Sequence, residues 1–136
     1  MQVGLYHHQK EIRLGKEVLH LPKFSSGVWR VVSEGIKKKL IPIYFQLQKH
    51  TKLFNTKICL TGQHRTMLDQ VLSLFGVQPD FDLNIMRPNQ DLFDISAAVL
   101  NGLKAVFLQY KPDLVLVQGD TTTTFISSLA AFFFSD

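Results

Sequence analysis

Residues 116–124 (LVQGDTTTT) bring together a glycine, a carboxylate and four threonines at the end of an apolar run. Gly119 permits a tight backbone turn or the close approach of a ligand, and Asp120 is placed to cap a following helix. β-Branched residues are poor in a helix interior, so Thr121 and Thr122 suit a first turn whose hydroxyl and N–H groups face a polar or anionic ligand. A helix cap followed by a threonine run without function explains the same pattern.

A second polar group, TGQHR at 61–65, follows another short apolar run. Gln63, His64 and Arg65 supply an amide, an imidazole and a guanidinium at one rim, and these groups suit sugar hydroxyls or a phosphate. We therefore expect ligand contacts at this rim. Ordinary surface residues at the start of a helix are the competing interpretation.

Three consecutive lysines at 37–39 stand near the start of a predicted helix, where cations oppose the helix macrodipole. A bound phosphate would offset this repulsion, which makes Lys37 and Lys39 candidate ligand residues; a solvated charge run is the alternative. Residues 1–68 hold 12 Lys or Arg against three Glu, whereas residues 69–136 hold three against eight Asp. No aromatic residues alternate with the basic ones as a stacking platform requires, so we expect no nucleic-acid partner.

Several other chemistries have no support in the sequence. The single cysteine, Cys59, excludes an internal disulfide and a cysteine-based zinc site, and no HExxH, GxGxxG, Walker A or GxSxG motif occurs. We therefore expect no metal. The apolar stretch at 125–134 is shorter than the roughly 20 residues of a membrane crossing, and no signal-peptide pattern opens the sequence. We expect no membrane association and a reducing, cytoplasmic setting.

The elements that position these groups follow a regular pattern from about residue 40 onward. Apolar residues recur with helical spacing at 40–47, 65–75, 90–109 and from 121, and short strands are predicted between them at 56–62, 80–85 and 114–117. Phe125, Leu129 and Phe132 form the predicted buried side of the last helix. Strands that alternate with amphipathic helices predict βαβ units and an α/β fold with a doubly wound parallel sheet. Before residue 36 the pattern predicts only a short strand at 28–32.

Three motifs follow one another between Thr56 and Phe134, namely QHR-x-MLDQ, DLNIM-x-P and GDTTTT. Together they resemble the N-terminal domain of the non-hydrolysing UDP-N-acetylglucosamine 2-epimerases. The resemblance implies a Rossmann-like domain that forms the N-terminal half of a glycosyltransferase-B-like architecture. In that architecture the active site lies between two such domains.

Members of this family interconvert UDP-N-acetylglucosamine and UDP-N-acetylmannosamine in the bacterial cytoplasm, as precursors of surface polysaccharides. The resemblance implies an isomerase that eliminates UDP to a 2-acetamidoglucal and re-adds it with C2 inverted, which needs no redox cofactor. Asp120 matches the family's catalytic aspartate and is expected to take part in proton transfer near C2. Gln63, His64 and Arg65 match a motif segment near the nucleotide-sugar cleft.

The N-terminal part of the chain departs from this family. The family's Gly-Thr-Arg-Pro-Glu-Ala-Ile-Lys turn aligns best with residues 30–37, where Glu34, Ile36 and Lys37 are retained. Two residues then appear inserted, so that either Lys37 or Lys39 is the motif lysine. We expect an atypical leader at 1–35, an incomplete Rossmann-like domain at 36–136, and no C-terminal UDP-binding domain.

The resulting hypothesis is a truncated UDP-N-acetylglucosamine 2-epimerase that is inactive alone. A single domain contacts the substrate from one side only. It therefore lacks the orientation and the water exclusion that a closed cleft between two domains provides. The alternative is a non-catalytic module that binds a nucleotide sugar or associates with a full-length epimerase. UDP-N-acetylglucosamine is the expected ligand, and the family resemblance implies a homodimer.

Overall fold

The computed structural model describes residues 9–14, 17–22, 29–34, 40–62 and 65–135. Strands and helices alternate after the first three strands, as the sequence pattern predicts for an α/β fold. In chain order the elements are β1 (Gln9–Leu14), β2 (Glu17–Pro22), β3 (Trp29–Glu34), α1 (Leu40–Gln48), β4 (Phe54–Leu60), α2 (Arg65–Phe75), β5 (Phe81–Asp82), α3 (Leu92–Tyr110), β6 (Leu114–Leu116) and α4 (Thr122–Ser135).

A four-stranded parallel sheet, in the order β5-β4-β3-β6, organises the chain from Trp29 onward. β3 lies inside the sheet, where it pairs with β4 from Trp29↔Phe54 and with β6 from Val31↔Leu114. The chain therefore adds β4 and β5 on one side of β3 and then returns to add β6 on the other. In open α/β sheets such a reversal of strand order is the point where ligands bind.

β4 explains why helices cover both faces of this sheet. Its successive side chains point to opposite faces, and Ile58, Cys59 and Leu60 are all buried to 1% exposure or less. Ile58 and Leu60 pack with Ile41 of α1 and Leu72 of α2, whereas Cys59 belongs to a second cluster with residues of α3 and α4. The prediction of a doubly wound α/β domain is confirmed.

The helix ends follow local capping chemistry. Asp91 and Asp94 form a reciprocal capping box at the start of α3, since each side chain accepts from the other's backbone N–H at 2.8 and 3.1 Å. Lys111 closes α3 in the left-handed region at φ +51°, and Gly76 follows α2 at φ +63°. Gly76 and Lys111 thus end the two helices that the apolar spacing predicts at 65–75 and 90–109.

The region before residue 36 contains more regular structure than the sequence predicts. β1 and β2 pair antiparallel from Gln9↔Pro22 to Leu14↔Glu17, within the part expected to be an atypical leader. β3 also lies before the predicted domain start at 36, although it pairs with two strands of the sheet. β3 agrees with the short strand predicted at 28–32, whereas β1 and β2 contain polar residues and lack the apolar runs from which strands are predicted. The division into leader and domain stays a prediction.

The buried face of α4 differs from the predicted one. Phe125 and Phe132 are 67% and 54% exposed, and the buried residues of α4 are instead Thr123, Ile126, Ser127 and Ala130. α4 is apolar around most of its circumference, so periodicity alone does not select the face that packs on α3. Exposed apolar side chains also occur on the other helices, for example Met67, Phe75 and Leu92.

Within the described ranges, α3 is the one helix long and apolar enough to span a membrane by length and composition. The core helix of a soluble domain meets the same criterion. Val99 and Leu103 of α3 are fully buried, and they pack in the same cluster as Cys59 of β4.

Candidate functional site

The carboxyl ends of β3, β4 and β6 lie at one edge of the sheet, because the three strands are parallel. We call this edge, with the segments that follow the strands, the carboxyl edge. The reversal of strand order falls between β3 and β6. The segment that follows β6, residues 117–121, leads from this reversal into α4.

Gly119 and Asp120 form an exposed turn in this segment. Gly119 has φ +128°, a backbone conformation that residues with a Cβ rarely adopt, as the sequence predicts for a tight turn. Among the described residues, the Asp120 carboxylate has no hydrogen-bond or ion-pair partner. The turn therefore presents a carboxylate to solvent at the place where open α/β sheets bind ligands.

The cap of α4 is Thr121 rather than Asp120. α4 begins at Thr122, and the Thr124 N–H donates to the Thr121 hydroxyl oxygen at 3.4 Å. The prediction that Asp120 caps this helix is therefore wrong. α4 begins one residue later than the sequence predicts, so the Thr121 hydroxyl occupies the capping position.

The threonine run bonds largely to itself. The Thr121 hydroxyl oxygen lies 2.9 Å from that of Thr123 and 3.2 Å from that of Thr124, and the Thr124 hydroxyl donates to the Gln118 carbonyl at 3.4 Å. In the described part of the chain, Thr122 is the member of the run whose hydroxyl has no such bond. The hydroxyls were expected to face a ligand, and three of the four instead hold the turn.

The end of β4 is joined to the DLNIM segment by backbone contacts. The N–H groups of Leu83 and Ile85 donate to the carbonyls of Leu60 and Thr61 at 2.8 and 3.0 Å. Gly62 has φ +88°, and a Cβ at this position would lie 3.1 Å from the Cα of Asn84. The DLNIM segment therefore lies against the end of β4 at the carboxyl edge, and Gly62 lets the two backbones approach.

Gln90 is a residue to which the sequence analysis assigned no role. Its side chain accepts from the Arg87 N–H at 2.6 Å and donates to the Ile85 carbonyl at 2.9 Å. It thus closes the loop that carries the DLNIM-x-P motif. An isolated glutamine in a polar loop gives no sequence signal for such a role.

The remaining predicted site residues are described only in part. Gln63, His64, Lys37 and Lys39 lie outside the described residues, and Arg65 is the first residue of α2. The structure thus brings Gly119, Asp120, Thr121 and Thr122 onto one turn, and their part in binding stays a prediction. No group of His, Cys, Asp or Glu that could hold a metal occurs among the residues that the structure describes.

At the opposite edge, where β3, β4 and β6 begin, a carboxylate is paired with an arginine. We call it the amino edge. Asp113 accepts from the Arg30 Nε and Nη2 atoms at 3.1 Å each and from the Arg30 backbone N–H at 2.8 Å. Burial by itself would raise the pKa of Asp113, but the hydrogen bonds and charge of Arg30 outweigh it and lower this pKa below its ordinary 3.8. Asp80 lies further along the sheet, directly before β5, and accepts from Lys57 Nζ at 3.2 Å and from the Ile58 N–H at 2.8 Å.

A family model described as UDP-N-acetylglucosamine 2-epimerase matches residues 46–135. The UDP-N-acetylglucosamine 2-epimerase of Neisseria meningitidis serogroup A is 55% identical over 95 residues, which cover 70% of this chain and 25% of that protein. The Escherichia coli K12 protein of the same name is 54% identical over 95 residues, with the same coverage. The chain thus spans about a quarter of the length of the curated relatives it matches.

Solved structures of UDP-N-acetylglucosamine 2-epimerases are also similar to this chain. The chain matches the N. meningitidis UDP-GlcNAc 2-epimerase bound to UDP-GlcNAc with a TM-score of 0.69 and 48% identity, over 78% of this chain and 29% of that one. It matches the Methanocaldococcus jannaschii enzyme in complex with UDP-GlcNAc and UDP with a TM-score of 0.68 and 27% identity, over 79% and 30%. The predicted Rossmann-like fold, as one half of a glycosyltransferase-B-like architecture, is confirmed by these neighbours.

Proposed function

Because the chain belongs to the UDP-N-acetylglucosamine 2-epimerase family, we propose that it serves the interconversion of UDP-N-acetylglucosamine and UDP-N-acetylmannosamine, as part of an isomerase. The observation that carries this proposal is the position of Asp120. Its exposed carboxylate stands on the Gly119 turn, where the order of the sheet strands reverses. The solved relatives described as bound to UDP-GlcNAc support a nucleotide sugar as the ligand.

The chemistry requires proton transfer at one carbon and loss of a leaving group at the next. A base removes the proton from C2, the electron pair forms the C1–C2 double bond, and the C1–O bond breaks as UDP leaves with its electrons. Protonation of the opposite face of C2 and return of UDP to C1 complete the inversion. No net oxidation occurs, so the proposal needs no redox cofactor. A carboxylate such as Asp120 is suited to carry the proton at C2.

The groups around Asp120 supply complementary contacts. α4 begins directly after this turn, and the free N–H groups of a helix start attract an anionic group such as a diphosphate. Gly119, Thr121 and Thr122 are therefore proposed to contact the substrate. We assign the same part to Gln63, His64 and Arg65, and to Lys37 or Lys39, on the motif resemblance.

For the 136-residue polypeptide by itself we propose binding without turnover. Asp120 and Gly119 are exposed, so the described residues leave the proposed reaction site open to water. An enclosed site would exclude water and strengthen the interactions that orient the sugar. We further propose a cytoplasmic location and a homodimer, both from the family resemblance.

NMR titration of the ¹⁵N-labelled chain with UDP-N-acetylglucosamine tests this proposal. We expect chemical-shift changes centred on Gly119, Asp120 and the first turn of α4. Asp120→Asn should weaken these changes, whereas Asp113→Asn, at the amino edge, should leave them as in the unsubstituted chain. Absence of shifts at the carboxyl edge, from a folded sample at saturating ligand, would contradict the proposal.

A second measurement separates binding from catalysis. The same samples are incubated in D₂O, and deuterium at C2 of the sugar is followed by NMR or mass spectrometry. We expect no incorporation above the rate without protein. Incorporation would contradict the proposed inactivity of the isolated chain, and in that case Asp120→Asn should lower its rate by about 100-fold or more if Asp120 carries the proton.

A further inference from the structure

The hydroxyl bonds of the threonine run form a chain with a defined direction. The Gln118 carbonyl can only accept a hydrogen bond, so the Thr124 hydroxyl donates its single proton to this carbonyl. The bond between Thr124 and Thr121 must then be donated by Thr121. Thr121 in turn has no proton left and accepts from Thr123 at 2.9 Å. The sequence of donors is therefore Thr123, Thr121, Thr124 and finally the backbone at Gln118.

This chain ends on the carbonyl that precedes the Gly119–Asp120 turn. Glycine has the largest conformational freedom of any residue, and Gly119 and Asp120 are both exposed. A turn of this kind needs a restraint from outside itself to keep one geometry. Thr124 supplies that restraint from within α4, which is anchored in the core by Ile126 and Ala130. Thr121 restrains the other side of the turn as the cap of α4.

We propose that Thr124 is a positioning residue, which holds the Asp120 carboxylate in place through the Gln118 carbonyl. Thr121, the middle member of the hydroxyl chain, supports this restraint by donating to the Thr124 hydroxyl. The functional part of this inference rests on the proposed role of Asp120 in nucleotide-sugar binding. The structural part, that the hydroxyl of Thr124 orders the turn, is independent of any ligand.

The test compares Thr124→Val, which keeps the shape and removes the hydroxyl, with Thr124→Ser, which keeps the hydroxyl. Backbone ¹⁵N relaxation of the full chain without ligand reports the order parameters of Gly119 and Asp120. We expect about 0.85 in the unsubstituted chain and in Thr124→Ser, and less than about 0.6 in Thr124→Val. Val99 and Leu103, in the core, should keep their order parameters in every sample.

Two results would overturn the inference: an ordered turn in Thr124→Val, or equal loss of order in Thr124→Val and Thr124→Ser. If Thr124→Val does not fold, Thr121→Val and Thr121→Ser repeat the comparison at the middle of the hydroxyl chain. Thr121→Val must then loosen the turn and Thr121→Ser must keep it, and the reverse result overturns the proposal.

Titration of the same samples with UDP-N-acetylglucosamine tests the functional part. Loss of one neutral hydrogen bond corresponds to about a fivefold change, so Thr124→Val should bind about fivefold more weakly than Thr124→Ser. Equal affinity of the two variants would overturn the positioning role. If the unsubstituted chain does not bind, the proposed function fails, and the relaxation data still decide whether Thr124 orders the turn.

Discussion

The two edges of the parallel sheet use aspartate in opposite ways. At the amino edge, Asp113 binds Arg30 through three hydrogen bonds, and at the start of β5, further along the sheet, Asp80 binds both Lys57 and the backbone of Ile58. At the carboxyl edge, Asp120 is exposed, and among the described residues it has no partner. The same residue type thus stabilises the strands at one edge and is available to a ligand at the other.

The physical reason lies in what each edge must do. Asp113 and Asp80 immediately precede β6 and β5, and their bonds connect each strand start to a neighbouring strand. Tyr110 adds a bond from its hydroxyl to the Asn55 carbonyl at the same edge. A carboxylate engaged in this way cannot also serve a substrate. The exposed Asp120 carboxylate has no such bond among the described residues.

The largest expected effect concerns the anchoring of α4, which carries the threonine run to the carboxyl edge. Ile126→Ala should lower the free energy of unfolding by about 2–5 kcal/mol, because Ile126 is buried in the apolar cluster formed by Cys59 and residues of α3 and α4. Phe125→Ala, at the adjacent but exposed position, should change it by about 0.5 kcal/mol or less. Urea unfolding of both variants checks this, and equal losses would mean that a different face of α4 is buried.

The next effect concerns the glycine turn of the carboxyl edge. Gly119→Ala should cost about 2 kcal/mol of stability and weaken nucleotide-sugar binding, since φ +128° is strained for alanine. Gly76→Ala is the matched control, because Gly76 also has a positive φ but no atom lies within 4 Å of the added Cβ. It should cost about 1 kcal/mol and leave binding unchanged. Thermal unfolding and titration distinguish the two, and parallel loss of binding in both would remove the special role of Gly119.

A direct contrast comes from one substitution at a strand start and one at the carboxyl edge. Asp80→Ala should lower the free energy of unfolding by about 1.5 kcal/mol, because it removes the acceptor of the buried Ile58 N–H. Asp120→Ala should change stability by about 0.5 kcal/mol or less, and should act on ligand binding instead. Chemical denaturation gives the first quantity for both variants. A stability loss at Asp120 as large as that at Asp80 would break the comparison.

The smallest effect is a pH dependence at the amino edge. The pKa of Asp113 is lower in the folded chain than its ordinary 3.8, so the folded state binds fewer protons there than the unfolded state. Its contribution to stability is present above the ordinary pKa and is lost as the pH falls through the lowered one. Asp113→Asn should therefore flatten the acid limb of the stability profile between about pH 2 and pH 5. Thermal unfolding across this range checks it, and identical acid limbs in both proteins would contradict the assignment.

Local signals in the sequence were sufficient for much of the fold. The periodicity of α2 gives the bounds Arg65–Phe75 found in the structure, and Gly76 follows that helix with a positive φ. The apolar run of β4 and the alternation of strands with helices predict a doubly wound sheet. The glycine, aspartate and threonines after β6 also identify the turn, because a turn depends on residues adjacent in the chain.

The tertiary structure decided which groups meet and which faces are buried. Arg30 and Asp113 are 83 residues apart, and their pairing follows from the position of β3 beside β6. The choice of Ile126 over Phe125 for the core of α4 depends on how α4 packs on α3, because both side chains are apolar. The cap at Thr121 depends on where α4 begins, and the direction of the hydroxyl chain depends on its end at the Gln118 carbonyl. Local composition limits what each segment can form, and only long-range packing selects among the remaining arrangements.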